Sequence, residues 1–281
     1  MMTCAGVWIL YVMMSCMPYI PEGSAALAEE DVLVVEVAPK EEPNSIETLA
    51  EGLVVEVLRD DAKSPDAAGK RILIYHTHTY EAYEQDPVKS YQQIERWRTM
   101  DADHNVIAVG KALAAQLTAL GFRVTHDVTA FEPPTLDDAY TRSLSMLEAR
   151  KANGEQYDLY IDLHRDAIAS ASTIKRTVSI GGEEVARFMV LVGQGTTGGY
   201  VEKPNWTANR QIADRITAAL NEQCDGLARD VKIKTGRFNQ HIADCCVLIE
   251  CGTNWNSLDE VLAGVPYLAQ AISDALNALQ T

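Results

Sequence analysis

Short apolar runs alternate with longer amphipathic stretches throughout residues 70–281. The runs are rich in branched and aromatic side chains and are bounded by polar residues, a pattern typical of buried strands. The predicted strands are Ile72–Tyr75, Phe122–His126, Leu159–Leu163, Phe188–Val192, Val231–Lys234 and Cys246–Glu250.

Between these runs, apolar residues recur at helical spacing. Val106, Val109, Leu113 and Leu117 form one such series, and Gly121 follows where the helix would end. The predicted helices are Asp103–Leu120, Leu136–Ala152, Asn205–Cys224 and Leu258–Leu279. This alternation predicts an α/β domain, a mostly parallel central sheet of about six strands flanked by helices on both faces.

The N-terminal part of the chain has a different character. Met1–Tyr19 carries no charge, and Ser24–Ala28 offers small residues that a signal peptidase accepts. Residues 1–28 are therefore predicted to be a signal peptide or a membrane anchor, with a buried N-terminal element as the alternative. Residues 29–69 are acidic and interrupted by prolines, which predicts a partly ordered linker.

The net charge of −16 argues against a nucleic-acid partner, because phosphate binding needs a basic face. The sequence also has no nucleophile elbow and no phosphate-binding loop. The glycine-rich Gln194–Gly199 lacks the spacing of a dinucleotide fingerprint and is interpreted as a wall of a cleft.

Two of the six cysteines lie in the predicted signal segment. In an exported protein Cys224 could form a disulfide with one of Cys245, Cys246 and Cys251, which the sequence leaves open. We expect Cys246 and Cys251 to be small buried apolar residues.

Three predicted strands end in residues that can bind a metal or a proton. His76 follows the first strand, His164 follows the third, and Glu250 ends the last. Because the carboxyl ends of parallel strands meet at one edge of a sheet, this pattern indicates a functional site there.

A catalytic zinc site takes about three protein ligands and leaves one position open. His76 and His164 are the predicted pair, and the third ligand is Glu81, His78 or Asp101. Glu81 is favoured because its segment is expected to fold back over the strand end. Alternatively, an HxH pair at a strand end supplies one ligand and one orienting neighbour.

Glu250 is the predicted general base, because a carboxylate at the mouth of the sheet can take a proton from water and return it to a leaving amine. Its alternative is a capping or ion-pair role in the turn that follows. Arg165 could bind a substrate carboxylate or stabilise an oxyanion. Asp166 could hold the ring of His164 in one tautomer. Alternatively Arg165 and Asp166 simply pair with neighbours.

Five polar residues remain. Asn239, His241 and Asn254 are predicted to shape a substrate groove, as weak candidates, and His104 and His126 are interpreted as structural.

The chain contains, in this order, the segments YHTHTYEAY, RTMDADHNVIAVG, DLHRD, KPNWTAN, RFNQ and LIECGTNWNSLDE. These motifs, in this order, resemble the sporulation stage II protein P family. They cover nearly all of residues 71–281, which also resemble the wider group of zinc-dependent N-acetylmuramoyl-L-alanine amidases.

The resemblance implies an exported peptidoglycan hydrolase of a spore-forming bacterium. In the wider group two histidines and a glutamate hold zinc and a second glutamate is the base, which supports His76, His164 and Glu250. The amidase pattern points to Asp101 as the acidic ligand, whereas the HTHxxE motif points to Glu81. The sequence departs from the family pattern at His241 and Cys251.

The family's role implies hydrolysis of septal wall during engulfment, tethered to the membrane or wall and assisted by membrane-anchored sporulation proteins. The predicted substrate is peptidoglycan, glycan strands with stem peptides, cut at the N-acetylmuramoyl-L-alanine bond. The alternatives are a zinc endopeptidase that cuts peptide cross-links and a non-catalytic wall-binding module.

Overall fold

The computed structural model describes residues 69–195 and 205–279. The predicted signal segment, nearly all of the predicted linker and most of the predicted cleft wall Gln194–Gly199 lie outside these ranges. No helix within them is long and apolar enough to cross a bilayer.

Six strands form one sheet, as predicted. The strands are β1 (Arg71–Tyr75), β2 (Arg123–His126), β3 (Leu159–Asp166), β6 (Phe188–Gly193), β7 (Lys232–Lys234) and β8 (Cys246–Thr253). Their order across the sheet is β2–β1–β3–β8–β6–β7, and every neighbouring pair is parallel except β6 and β8.

Four α-helices flank the sheet near the predicted positions. They are α1 (Val106–Ala119), α2 (Ala139–Ala152), α3 (Trp206–Gln223) and α4 (Leu258–Asn277). The first begins three residues later than predicted because the Asn105 side chain caps it, accepting a hydrogen bond from the backbone N–H of Ile107 at 2.9 Å. Ser257 and Glu260 form a capping box at the start of α4.

A hairpin that the sequence analysis did not predict explains the antiparallel pair. Strands β4 (Thr177–Ile180) and β5 (Glu183–Ala186) are joined by Gly181 and Gly182, both with positive φ, as a tight two-residue hairpin turn requires. Parallel neighbours need a long crossover, usually a helix. Because the chain passes from β3 to β6 through this hairpin without a helix, β6 runs against β8.

The two faces of the sheet are covered by different helices. Ile72 and Ile74 of β1 belong to the larger apolar core, which also contains residues of α1, α3 and α4. Leu73 and Tyr75 face the smaller core, which contains Leu147 of α2. Alternate residues of each central strand therefore point to different faces, and this alternation decides which side chains meet at the carboxyl edge.

All four cysteines in the described part of the chain are free thiols. Cys246 and Cys251 are buried, as predicted.

Candidate active site

Three side chains that can bind a metal meet at the carboxyl edge of β1 and β3. One nitrogen or oxygen from each of His78, Glu81 and His164 lies within 4.8 Å of the other two. Glu81 lies between the rings, with Oε1 3.5 Å from His78 Nδ1 and Oε2 3.3 Å from His164 Nδ1. Two imidazoles and one carboxylate form a donor set that suits a catalytic zinc ion.

The segment that carries Glu81 folds back over the end of β1, as the sequence analysis expected. The Glu81 carbonyl accepts a hydrogen bond from the backbone N–H of Val106, where α1 begins, at 2.9 Å. The next residue, Ala82, donates its N–H to the Trp97 carbonyl at 2.8 Å. The backbone N–H of Arg165 donates to Glu81 Oε2 at 3.0 Å. Both backbone and carboxylate of Glu81 are therefore held in place.

The structure does not bring His76 to this group, contrary to the predicted pairing of His76 with His164. The buried His76 ring makes contacts from Nδ1 to the Leu163 carbonyl at 2.9 Å and from Nε2 to His126 Nε2 at 2.8 Å. His76 has the strand parity of Ile74 and so points to the large-core face, whereas His164 shares the opposite face with Glu250. His78, one of the alternates, lies beyond the strand and takes the position next to Glu81.

A second carboxylate contacts His164 from the other side. Asp162 Oδ1 lies 2.8 Å from His164 Nε2, although the ring N–H is not aimed well at the oxygen, so the contact is closer to an ion pair than to a directed hydrogen bond. Asp162 is completely buried and accepts hydrogen bonds from the Thr77 N–H at 2.8 Å and the Thr77 hydroxyl at 2.7 Å. The chain therefore presents the other ring nitrogen, Nδ1, to Glu81.

Glu250 pairs with His164 in the parallel register of β3 and β8. Its side chain is half-buried, and its Oε2 has no hydrogen-bond partner in the described part of the chain. Burial raises the pKa of Glu250 to about 8; the charge of His164 opposes this shift, and Glu81 and Asp166 add to it. An unpartnered carboxylate that exchanges its proton near neutral pH can act as a general acid and base.

The environment of the site favours the charged forms of Glu81 and His164. Burial alone would raise the pKa of Glu81, but His164, His78 and Arg165 hold it well below its usual range. Burial alone would lower the pKa of His164, but the carboxylates of Asp162 and Glu81 hold it well above its usual value. The site thus concentrates negative charge around one imidazole, an environment that favours a cation.

Arg165 and Asp166 are engaged with neighbours, the alternative that the sequence analysis kept open. The Arg165 guanidinium donates to the carbonyls of Ala82 at 3.0 Å and Trp97 at 3.2 Å. Asp166 Oδ2 pairs with Arg229 at 2.7 Å. A register shift between His164 and Asp166 interrupts the ladder of β3 here. The contact to the His164 ring that was predicted for Asp166 is made by Asp162.

The asparagines predicted to shape a groove use their amides internally. The Asn239 amide donates to the Tyr140 carbonyl at 2.8 Å and to the Ser143 hydroxyl at 3.0 Å, and the backbone N–H of Ile168 donates to Asn254 Oδ1 at 2.9 Å. Both asparagines are buried.

Asp101 and His241 are not among the three residues of the His78–Glu81–His164 group. Asp101 is exposed and lies 2.9 Å from His104 Nδ1, in the turn before α1. His241 lies in a short 3-10 helix, Gln240–Ile242, and its carbonyl accepts a hydrogen bond from the Asn205 amide at 3.1 Å.

Asp162 was not among the residues predicted from the sequence, although its spacing from His164 indicates its position. In the DLHRD segment Asp162 precedes His164 by two residues, so both point to the same face of a strand. A carboxylate at that spacing is the natural neighbour for a ligand histidine.

Fold and site together define an α/β protein with a histidine–glutamate–histidine group and an additional glutamate at the carboxyl edge of its sheet. The chain belongs to the Stage II sporulation protein P (SpoIIP) family, whose model matches residues 21–273. A comparison with curated proteins finds no match.

Among solved structures, the chain is similar to several amidases. N-acetylmuramoyl-L-alanine amidase AmiC2 of Nostoc punctiforme is 14% identical with a TM-score of 0.44, and the match covers 75% of this chain and 98% of that one. The CwlD amidase from Clostridioides difficile, in complex with the GerS lipoprotein, is 15% identical with a TM-score of 0.47, covering 75% and 96%. The catalytic domain of CwlV from Bacillus (Paenibacillus) polymyxa is 12% identical with a TM-score of 0.44, covering 75% and 98%.

Proposed function

We propose that this protein is a zinc-dependent peptidoglycan hydrolase that cleaves the N-acetylmuramoyl-L-alanine amide bond. The observation that carries the proposal is the convergence of His78, Glu81 and His164 beside the unpartnered oxygen of Glu250. Membership of the Stage II sporulation protein P family supports wall hydrolysis during sporulation.

The residues present fit a bound zinc ion. His78 and His164 would each offer Nδ1 and Glu81 a carboxylate oxygen, three ligands of the kinds that catalytic zinc sites use. When bound, zinc supplies a Lewis acid that polarises a carbonyl and lowers the pKa of water.

The chain's own residues supply the rest of the chemistry. Glu250 accepts a proton from the attacking water at Oε2 and returns it to the amide nitrogen as the carbon–nitrogen bond breaks. Asp162 orients His164, and Arg165 anchors Glu81 through its backbone N–H while its guanidinium binds the loop carbonyls. The products are a lactyl carboxylate on the glycan and a stem peptide with a free amino group.

The test measures zinc content and peptidoglycan cleavage on the same preparations of the full-length protein, wild type beside variants. We expect wild type to carry about one zinc and to release stem peptides, identified by mass. Glu250→Gln is expected to keep the metal and to lose at least about a hundredfold in rate, because it removes only the proton acceptor.

Ligand variants test the identity of the metal-binding residues. His78→Ala and Glu81→Gln are expected to lose the metal. His104→Ala and Asp101→Asn are matched controls, a half-buried histidine outside the candidate metal group and its exposed carboxylate partner, and are expected to keep both metal and activity. Loss of metal in Asp101→Asn with retention in Glu81→Gln would overturn the ligand set.

The products decide between this activity and its alternatives. New amino groups within the peptides, with no free lactyl groups, would identify an endopeptidase that cuts cross-links. Binding to wall without release would identify a wall-binding module.

The site of action is part of the proposal. We propose that the protein acts outside the cytoplasm, brought there by residues 1–28 and held at the membrane or wall, together with membrane-anchored sporulation proteins. Fractionation of the producing cells, with residues 1–28 present or deleted, tests this placement.

A further inference from the structure

We propose that a basic pocket beside Trp255 binds a carboxylate of the stem peptide, and this inference rests on the proposed function because the stem peptide belongs to that substrate. The pocket has a volume of about 300 Å³. Lys175, Arg176 and Trp255 line it, together with Ile174, Thr177, Asn256 and Glu260.

The charge of the pocket is opposite to that of the protein. The chain carries 40 acidic and 24 basic residues, yet two basic residues, Lys175 and Arg176, line the pocket. The Arg96 guanidinium lies 4.8 Å from the Trp255 ring centre and is paired with Glu84 at 3.8 Å. In the part of the chain that the structure describes, neither Lys175 nor Arg176 makes an ion pair with a carboxylate.

The acidic residue in the pocket wall does not neutralise these cations. Glu260 Oε2 accepts hydrogen bonds from the Ser257 N–H at 3.1 Å and from the Asn256 amide at 2.9 Å, as part of the cap of α4. Both basic residues lack an ion-pair partner in the described part of the chain, so a carboxylate bound in the pocket would gain charge-assisted contacts from them. The pocket therefore favours an anionic ligand.

The aromatic side of the pocket is rigid. The Trp255 ring donates its N–H to the Ile168 carbonyl at 3.1 Å and packs edge-on against Trp97, with ring centres 4.7 Å apart. Arg96 stacks over Trp97 at 4.0 Å. A fixed, half-buried indole offers apolar surface to the carbon chain of a ligand while the cations bind its carboxylate.

The pocket is attached to the strands that carry the candidate active site. Ile168 follows His164 by four residues, and Trp255 follows Glu250 by five. At about 3.3 Å per extended residue, Ile168 therefore lies at most roughly 13 Å from His164, and Trp255 at most roughly 17 Å from Glu250. An extended stem peptide of four or five residues covers the same distance, so its first amide can lie at Glu250 while a carboxylate farther along enters the pocket that Trp255 lines.

The test is binding of a soluble disaccharide–peptide prepared from digested wall. It is measured by calorimetry on the full-length protein in a Glu250→Gln background, so that the ligand is not consumed. The Lys175→Gln/Arg176→Gln double variant is expected to bind about tenfold more weakly, because two charge-assisted contacts are lost from a partly exposed site.

Two controls make the measurement specific. Lys111→Gln/Lys232→Gln removes two charges from exposed lysines on α1 and β7 and is expected to bind like the parent. A ligand whose peptide carboxylates have been converted to amides is expected to bind the parent and the Lys175/Arg176 double variant equally.

The remaining outcomes overturn the proposal. They are no binding by the parent, no loss in the double variant, an equal loss in the lysine control, or a loss that persists with the amidated ligand. Failure of the proposed function is distinguishable, because it is defined by the products that wild type releases from wall. If wild type released stem peptides but the Lys175→Gln/Arg176→Gln variant bound the ligand as tightly as the parent, the pocket proposal would be wrong and the proposed amidase activity would stand.

Discussion

His164 lies between two carboxylates, one beside each ring nitrogen. Glu81 lies at Nδ1 within the candidate metal group, whereas Asp162 lies at Nε2 and is completely buried. Asp162 is anchored by both the N–H and the hydroxyl of Thr77, so it cannot swing toward the metal group without losing two hydrogen bonds. A carboxylate in this position orients a ligand histidine and raises its basicity.

We therefore expect Asp162→Asn to weaken zinc binding about 10- to 100-fold, with the fold intact. Asparagine has nearly the same shape and can still accept the Thr77 N–H, but it removes the charge beside the ring. The measurement is zinc affinity in competition with a chromophoric chelator, with thermal unfolding as the check on folding.

Asp166→Asn is the matched control from the same segment. Its carboxylate pairs with Arg229 rather than with the ring, so zinc affinity is expected to stay within about twofold of wild type. A weaker zinc affinity in Asp166→Asn, with unchanged affinity in Asp162→Asn, would indicate that Asp166 orients His164, as the sequence predicted, and that Asp162 does not.

At the scale of the elements, the alternation of strand residues separates the histidines. His76 lies on the large-core face, where the rings of His76 and His126 pack against Gly110 of α1. A Cβ at Gly110 would lie 2.5 Å from His126 Nε2 and 2.7 Å from His76 Nε2. The absence of a side chain at Gly110 is what lets α1 cross the sheet so close to the two rings.

Gly110→Ala therefore tests two opposing effects. Helix propensity favours alanine by about 1 kcal/mol, whereas overpacking the buried His76 ring and the half-buried His126 ring costs about 1–3 kcal/mol. We expect the clash to prevail, with a net loss of about 1 kcal/mol in the free energy of unfolding. Thermal unfolding should show a melting temperature lower by about 2–4 °C.

The control lies on the exposed side of the same helix. Ala115→Gly makes the reverse exchange without a clash and is expected to cost about 1 kcal/mol through helix propensity alone. A higher melting temperature in Gly110→Ala would contradict the close contact of α1 with the rings of His76 and His126.

At the scale of the whole molecule, a partly buried ion pair connects the edge strand β2 to helix α2. Asp127, directly after β2, lies 2.7 Å from the Arg150 guanidinium of α2, and Arg150 also pairs with Glu155 at 2.9 Å. Burial alone would raise the pKa of Asp127, but hydrogen bonds from Thr129 and Arg150 lower it below its usual value. The pair therefore contributes to stability only while Asp127 is ionised.

The sign of the pH dependence follows from the lowered pKa. Stability from Asp127 is present above the ordinary aspartate pKa of about 4 and is lost as the pH falls through the lower value in the folded protein. We expect Asp127→Asn to be about 1–3 kcal/mol less stable than wild type at pH 7, and the gap to close toward pH 3. Urea unfolding across this range measures it.

Asp137→Asn, at an exposed carboxylate, should show no such gap at any pH. A difference between wild type and Asp127→Asn that stayed constant down to pH 3 would exclude the ion pair as its source.

The sequence by itself determined the strands, the helices and the chemical character of the strand ends. Local apolar runs and helical spacing are properties of neighbouring residues, so six strands and four helices were predicted close to their observed positions. The double glycine of the β4–β5 hairpin, Gly181 and Gly182, is an equally local signal, and the hairpin it forms accounts for the antiparallel pair.

Only the tertiary structure decided which polar residues meet. The choice of His78 over His76 depends on strand parity together with the path of the chain after β1. The choice of Glu81 over Asp101 depends on the hydrogen bond from Val106 that folds this segment over the sheet. Contacts between residues some eighty positions apart, such as Glu81 and His164, are set by register and packing, which no local pattern encodes.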